Sequence, residues 1–125
     1  MKRSIAILAM VLMATPALAA PGDMSVATFL AKADSLRAKG PLALMSSDMG
    51  LLKTEGTAAG QAYRARLNQE RTAGRPSSCP PQGSRISSDQ LLTHLRTYPV
   101  QARPRTTMRD AMADYFIKAF PCPAT

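Results

Sequence analysis

Cys79 and Cys122, 43 positions apart, are the only cysteines in the chain, and His94 is its only histidine. Thiol redox chemistry normally sets two cysteines two residues apart and lowers the pKa of one thiol. The wide separation here favours a structural bridge over a redox pair. Such a bridge closes a loop of about 44 residues, worth ~4 kcal/mol in the chain-entropy treatment.

Acid-base chemistry has few candidates. Glu55 and Glu70 are the only glutamates, and on one straight helix fifteen residues span about 22 Å, too far to act on one bond. His94 stands beside Leu91, Leu95 and Tyr98, with Asp89 on another side of the same predicted helix. A general base needs a nucleophile and an orienting group. The expected role is therefore a histidine at the edge of a core, with catalysis or switching as the lesser reading. No cluster of His, Cys and carboxylate has metal-ligand spacing, and no glycine-rich phosphate loop occurs. These absences argue for a non-enzyme that needs no cofactor and no metal.

Arginines form the one remaining polar constellation. In "ARPRTTMRD", Arg103, Arg105 and Arg109 surround the start of the last predicted helix, while Arg75 and Arg85 flank the cysteine-bearing loop "GRPSSCPPQGSR". Unpaired N–H groups at a helix start favour an anion, and guanidinium forks hold carboxylate or phosphate in pairs. The expectation is a contact surface for an acidic partner at Arg75, Arg85, Arg103, Arg105 and Arg109. A solvated cluster, with Arg109 paired to a nearby carboxylate, is the ordinary alternative.

The elements that must position these groups read as helices. Ser25 can cap a segment whose Val26, Phe29, Leu30, Ala33 and Leu36 follow a helical apolar spacing, ended by Gly40-Pro41. Pro41 to Met45 reads as a short helix, and Ser46-Ser47-Asp48 can cap a long one running to about Ala73. Gly50, Gly56 and Gly60 weaken that helix. Gly56 and Gly60 share a face, which fits either a close backbone approach or a frayed or kinked helix. Ser87 followed by Gln90 is a capping box, opening a helix that stops before Pro99. Thr107 leads into Met108, Ala111, Met112, Tyr115, Phe116 and Ala119, ending at Phe120-Pro121-Cys122. The segment from Thr72 to Ser88 has no period, so disorder, a functional loop and a loop pinned by the disulfide all stand open. No strand-like alternation appears. The expected fold is all-α: a compact bundle of about four to five helices with one disulfide.

At the start, Lys2 and Arg3 precede an apolar run from Ile5 to Ala14, then Pro16 and Ala17-Leu18-Ala19. That order predicts a cleaved signal peptide over residues 1–19 and export of a single domain over residues 20–125. The apolar run is about half of what spans a bilayer, so no transmembrane anchor is expected. Loss of Lys2 and Arg3 lowers the basic count from 16 to 14 against 8 acids, a formal +6. That charge suits anionic partners, or serves solubility alone. Nucleic acid is the least fitting partner, because no aromatic-rich basic stripe is present to stack bases.

Cys79-Pro80-Pro81, the helix "SSDQLLTHLRTYP" and the closing "MRDAMADYFIKAFPC", together with "SVATFLAKADSLRAKGPLALMSSD", resemble the Rap/Tai family of type VI secretion immunity proteins. The resemblance spans about 100 residues. It implies a compact helical periplasmic protein, with Cys79 and Cys122 joined, that neutralises a toxic effector by stoichiometric binding. The partner would be a protein effector or another envelope protein, and a homodimer is also admitted. Two further classes compete: a small periplasmic helical stress chaperone, using Met45, Met49, Met108 and Met112, and an anionic-ligand binder.

Overall fold

The computed structural model describes residues 20–124; the leader expected over residues 1–19 lies outside them. Among the described residues the chain forms four α-helices and two 3-10 helices, and the only β-type pairing is an isolated antiparallel bridge between Ser25 and Thr107. The first helix, α1 (Val26–Lys39), is capped by the Ser25 hydroxyl, which accepts from the Thr28 N–H. Gly40, at a φ of 58°, lets the chain leave α1 and enter the first 3-10 helix, Gly40–Met45. Ser46 then caps α2 (Ser47–Thr72), the longest element at 26 residues.

Ser87 and Gln90 form a complete capping box at the start of α3 (Ser88–Arg96). A second 3-10 helix, Arg103–Arg105, leads to α4 (Met108–Ala119), where the Thr107 hydroxyl accepts from the Asp110 N–H. Each α-helix start carries the cap that its sequence predicts, because a side-chain oxygen there satisfies an N–H group the helix itself cannot.

One core joins all four helices: Val26, Phe29 and Leu30 of α1 meet Ala59, Tyr63 and Leu67 of α2, Leu91 and Leu95 of α3, and Met108, Ala111 and Met112 of α4. The Tyr63 and Phe116 rings stack with centroids 5.4 Å apart, tying α2 to α4. Ion pairs reinforce the frame from outside: Lys32 to Asp48 at 3.1 Å and Arg96 to Asp34 at 2.8 Å.

The glycines of α2 behave otherwise than the shared face suggests. The helix runs through Gly50, Gly56 and Gly60 without a break, and a Cβ at Gly56 or Gly60 would meet nothing within 4 Å. The close approach is made by Gly22 instead. Its φ is 97°, and a Cβ there would lie 3.5 Å from the Ala59 backbone nitrogen. Gly22 thus lets the N-terminal segment lie directly on α2.

That segment is held from two sides. On one, Val26 N–H donates to the Thr106 carbonyl, and the Met108 and Arg109 N–H groups donate to the carbonyls of Met24 and Gly22, at 2.8, 2.8 and 2.9 Å. On the other, the buried Glu55 carboxylate accepts from the N–H groups of Gly22 and Met24, at 2.7 and 3.3 Å. A carboxylate reaching from α2 to two backbone donors is a charge-assisted clasp, roughly twice as strong as neutral pairing.

The irregular segment after α2 is pinned. Cys79 and Cys122 form a disulfide, and the Cys79 N–H donates to the Phe120 carbonyl at 2.8 Å. Ser78 is wholly buried and hydrogen-bonds to the Tyr63 hydroxyl, while the Ser77 hydroxyl donates to Glu70. The loop is pinned as the third reading has it, the bridge fastening it to the tail that follows α4.

Candidate functional site

The five arginines expected to mark a partner surface divide between the two ends of α4. Arg103, Arg105 and Arg109 lie at its start, and Arg75 and Arg85 lie on the segment that the disulfide ties to its end. The twelve residues of α4, about 18 Å of helix, lie between the two groups, so they form no single anion cradle.

At the start of α4 the expected anion site is closed. The N–H groups of Met108, Arg109 and Asp110 donate to Met24, Gly22 and the Thr107 hydroxyl, leaving none of these three to hold a ligand. Arg109 pairs with Asp23 at 3.2 Å, as the solvated-cluster alternative has it. Arg103 turns back onto α3: its Nε donates to the Tyr98 carbonyl at 2.9 Å and its Nη2 to the Arg96 carbonyl at 3.0 Å. It thereby satisfies carbonyls near the end of that helix, a role suited to a cation. Arg105 is exposed.

The pinned loop presents a different surface. Ser77 and Ser78 are fixed by hydrogen bonds to Tyr63 and Glu70, whereas Arg75, Cys79, Pro81, Gln82, Gly83 and Arg85 are exposed. The Ser77 hydroxyl and N–H, with Arg66 alongside at 3.1 Å, hold the Glu70 carboxyl below the usual carboxylate range. Glu70 therefore remains an acceptor for the loop well into mild acid.

A shallow groove of about 540 Å³ runs along α3 and α4, lined by Asp89, Gln90, Thr93, His94, Tyr115, Lys118 and Ala119. The buried His94 donates from Nε2 to the Ala111 carbonyl at 2.8 Å, and the Tyr98 hydroxyl beside it donates to Asp114. Burial pushes the His94 pKa below its ordinary value, and burial followed by Asp114 raises that of Tyr98. The arrangement holds His94 neutral with Nε2 protonated. A carbonyl, not a carboxylate, orients the ring, and Thr93 makes no hydrogen bond to it. The groups of a general-base dyad are not assembled.

Titration of His94 has a definite sign. The unfolded chain takes up a proton near pH 6.5, while the folded chain resists it. Stability contributed by neutral His94 is present above that pH and is lost as the pH falls through the window below it. Urea midpoints at pH 7.5 and 5.5 should show a larger acid loss for the native chain than for His94→Gln.

Apolar surface is concentrated at the first 3-10 helix, where Leu42, Leu44 and Met45 are exposed. Sequence reading took no account of Leu42 and Leu44. The signal was the unbroken run "PLALM", too short to form two buried faces. Among the described residues no cluster of three His, Cys, Asp or Glu side chains could hold a metal ion, and no helix is long and apolar enough to cross a membrane.

Comparison with protein-family models, curated proteins and solved structures finds no match in any of the three. The functional reading therefore rests on surfaces and residues.

Proposed function

We propose that the chain is an exported periplasmic binding protein of the immunity type, which neutralises a protein effector by stoichiometric association and carries out no catalysis. The observation that supports this most directly is the pinned loop. An irregular, arginine-flanked segment is tied to α2 by Tyr63 and Glu70 and to α4 by a disulfide. Pre-ordering of this kind lowers the entropy lost when a loop meets its partner. Arg75 and Arg85 then supply the charge that steers an acidic surface.

The competing readings draw less from the geometry. Two of the four methionines that a chaperone would expose, Met108 and Met112, are core residues. The backbone donors that an anion binder would use at the start of α4 are occupied.

The test is affinity capture by the chain starting at Ala20 from envelope and secreted fractions, followed by mass spectrometry and a toxicity assay. One effector should be retained at a fixed ratio, and Arg75→Glu with Arg85→Glu should weaken binding by about tenfold or more. Failure to retain or neutralise any effector, or neutralisation at far below equimolar amounts, would overturn the reading.

A further inference from the structure

The corner between α1 and α2 carries apolar surface that the fold does not use. Leu42, Leu44 and Met45 are 68%, 80% and 86% exposed, while Ala43 between them is buried. The corner is held in shape. Gly40 N–H donates to the Arg37 carbonyl, Ser46 N–H to the Ala43 carbonyl at 3.0 Å, and the Lys32–Asp48 pair clamps the helices on either side. Pro41 stiffens the first residues of the turn. Three large apolar side chains thus stand exposed on a hydrogen-bonded tip, the kind of surface that marks an interaction site.

The charges beside the tip bear on what could cover it. Arg37 and Lys39, in the last turn of α1, are exposed, and among the described residues neither forms an ion pair with a carboxylate. The carboxylates nearest in sequence bond elsewhere: Asp34 to Arg96, although the Arg37 charge also acts on it, Asp48 to Lys32, and Glu55 to Gly22 and Met24. An apolar tip with a positive collar matches a bilayer carrying anionic headgroups, where cations meet phosphates and aliphatic side chains enter the acyl boundary. A protein partner would need a concave pocket shaped to this tip, whereas a fluid bilayer needs none. A second copy meeting it symmetrically would bring collar against collar.

We propose that the 40–45 corner docks this protein reversibly onto an anionic lipid surface. The inference does not depend on the identity of any protein effector, because the loop 73–87 is a separate surface.

Every described helix, the core and the disulfide lie within residues 20–124, so a chain starting at Ala20 retains the whole described fold for the test. It is sedimented with vesicles of phosphatidylglycerol and phosphatidylethanolamine, and with vesicles of phosphatidylcholine alone. Binding should occur to the first set, weaken with added salt, and slow amide exchange at residues 42–45 of the unaltered protein. The triple change Leu42→Ser, Leu44→Ser, Met45→Ser and the pair Arg37→Glu, Lys39→Glu should each weaken it by about tenfold or more, with unchanged circular dichroism.

Three results would overturn the proposal. One is no binding to anionic vesicles. Another is binding in which residues 42–45 gain no exchange protection, or which the triple change leaves intact, since the overall positive charge would then suffice. The third is a dimer in sedimentation velocity that the triple change abolishes, which would make a second copy the occupant.

Discussion

Reducing the Cys79–Cys122 bridge is expected to lower the unfolding free energy by about 4 kcal/mol, a large share of the ~5–15 kcal/mol typical of a small domain. The bridge closes a loop that contains α3, the second 3-10 helix and α4. Opening it returns that whole stretch to an unconstrained unfolded chain. Cys79 is exposed and Cys122 half-buried. Urea unfolding of the oxidised chain, the reduced chain and the Cys79→Ser, Cys122→Ser variant measures the effect. A loss below about 1 kcal/mol would mean that the Tyr63, Glu70 and Phe120 contacts hold the loop without covalent help.

Replacing Glu55 by Ala should cost about 3 kcal/mol, because the Gly22 and Met24 N–H groups lose a charged acceptor in a largely buried place. Glu55→Gln keeps one carbonyl oxygen in reach and should cost about 1 kcal/mol. The damage should spread along the hydrogen bonds already described. Once the N-terminal segment lifts from α2, the Met108 and Arg109 N–H groups lose the carbonyls of Met24 and Gly22. Amide exchange at Met108 and Arg109 should therefore accelerate in Glu55→Ala, although residue 55 touches neither. Unchanged protection there would show that α4 holds the segment independently of the carboxylate.

How far this molecule was legible beforehand follows from how local each signal is. Ser25, Ser87 and Thr107 act on N–H groups three residues away, so the starts of α1, α3 and α4 could be read directly. The Met108, Ala111, Met112 stripe needed only helical spacing, and the cysteine pairing only the absence of a third thiol. Glu55 could not be read in this way. Its partners are 33 and 31 residues distant, and in sequence it looks like an ordinary exposed glutamate on a long helix. The occupied N–H groups at the start of α4 escape the sequence for a related reason. The start of α4 resembles an open anion site until the carbonyls of residues 22 and 24 arrive from the opposite end of the described chain. The exposure of Leu42 and Leu44 depends on which side of the turn faces Ala43's packing partners, and hydrophobicity alone does not encode that.

The backbone pairing of residues 22–26 with residues 106–109 also bears on the order of assembly. Its two halves come from opposite ends of the described chain, so a partly synthesised polypeptide cannot complete it, and the loop-closure entropy is repaid only after the final helix becomes available. Until then the early helices lack the Met108 and Met112 side chains against which they pack.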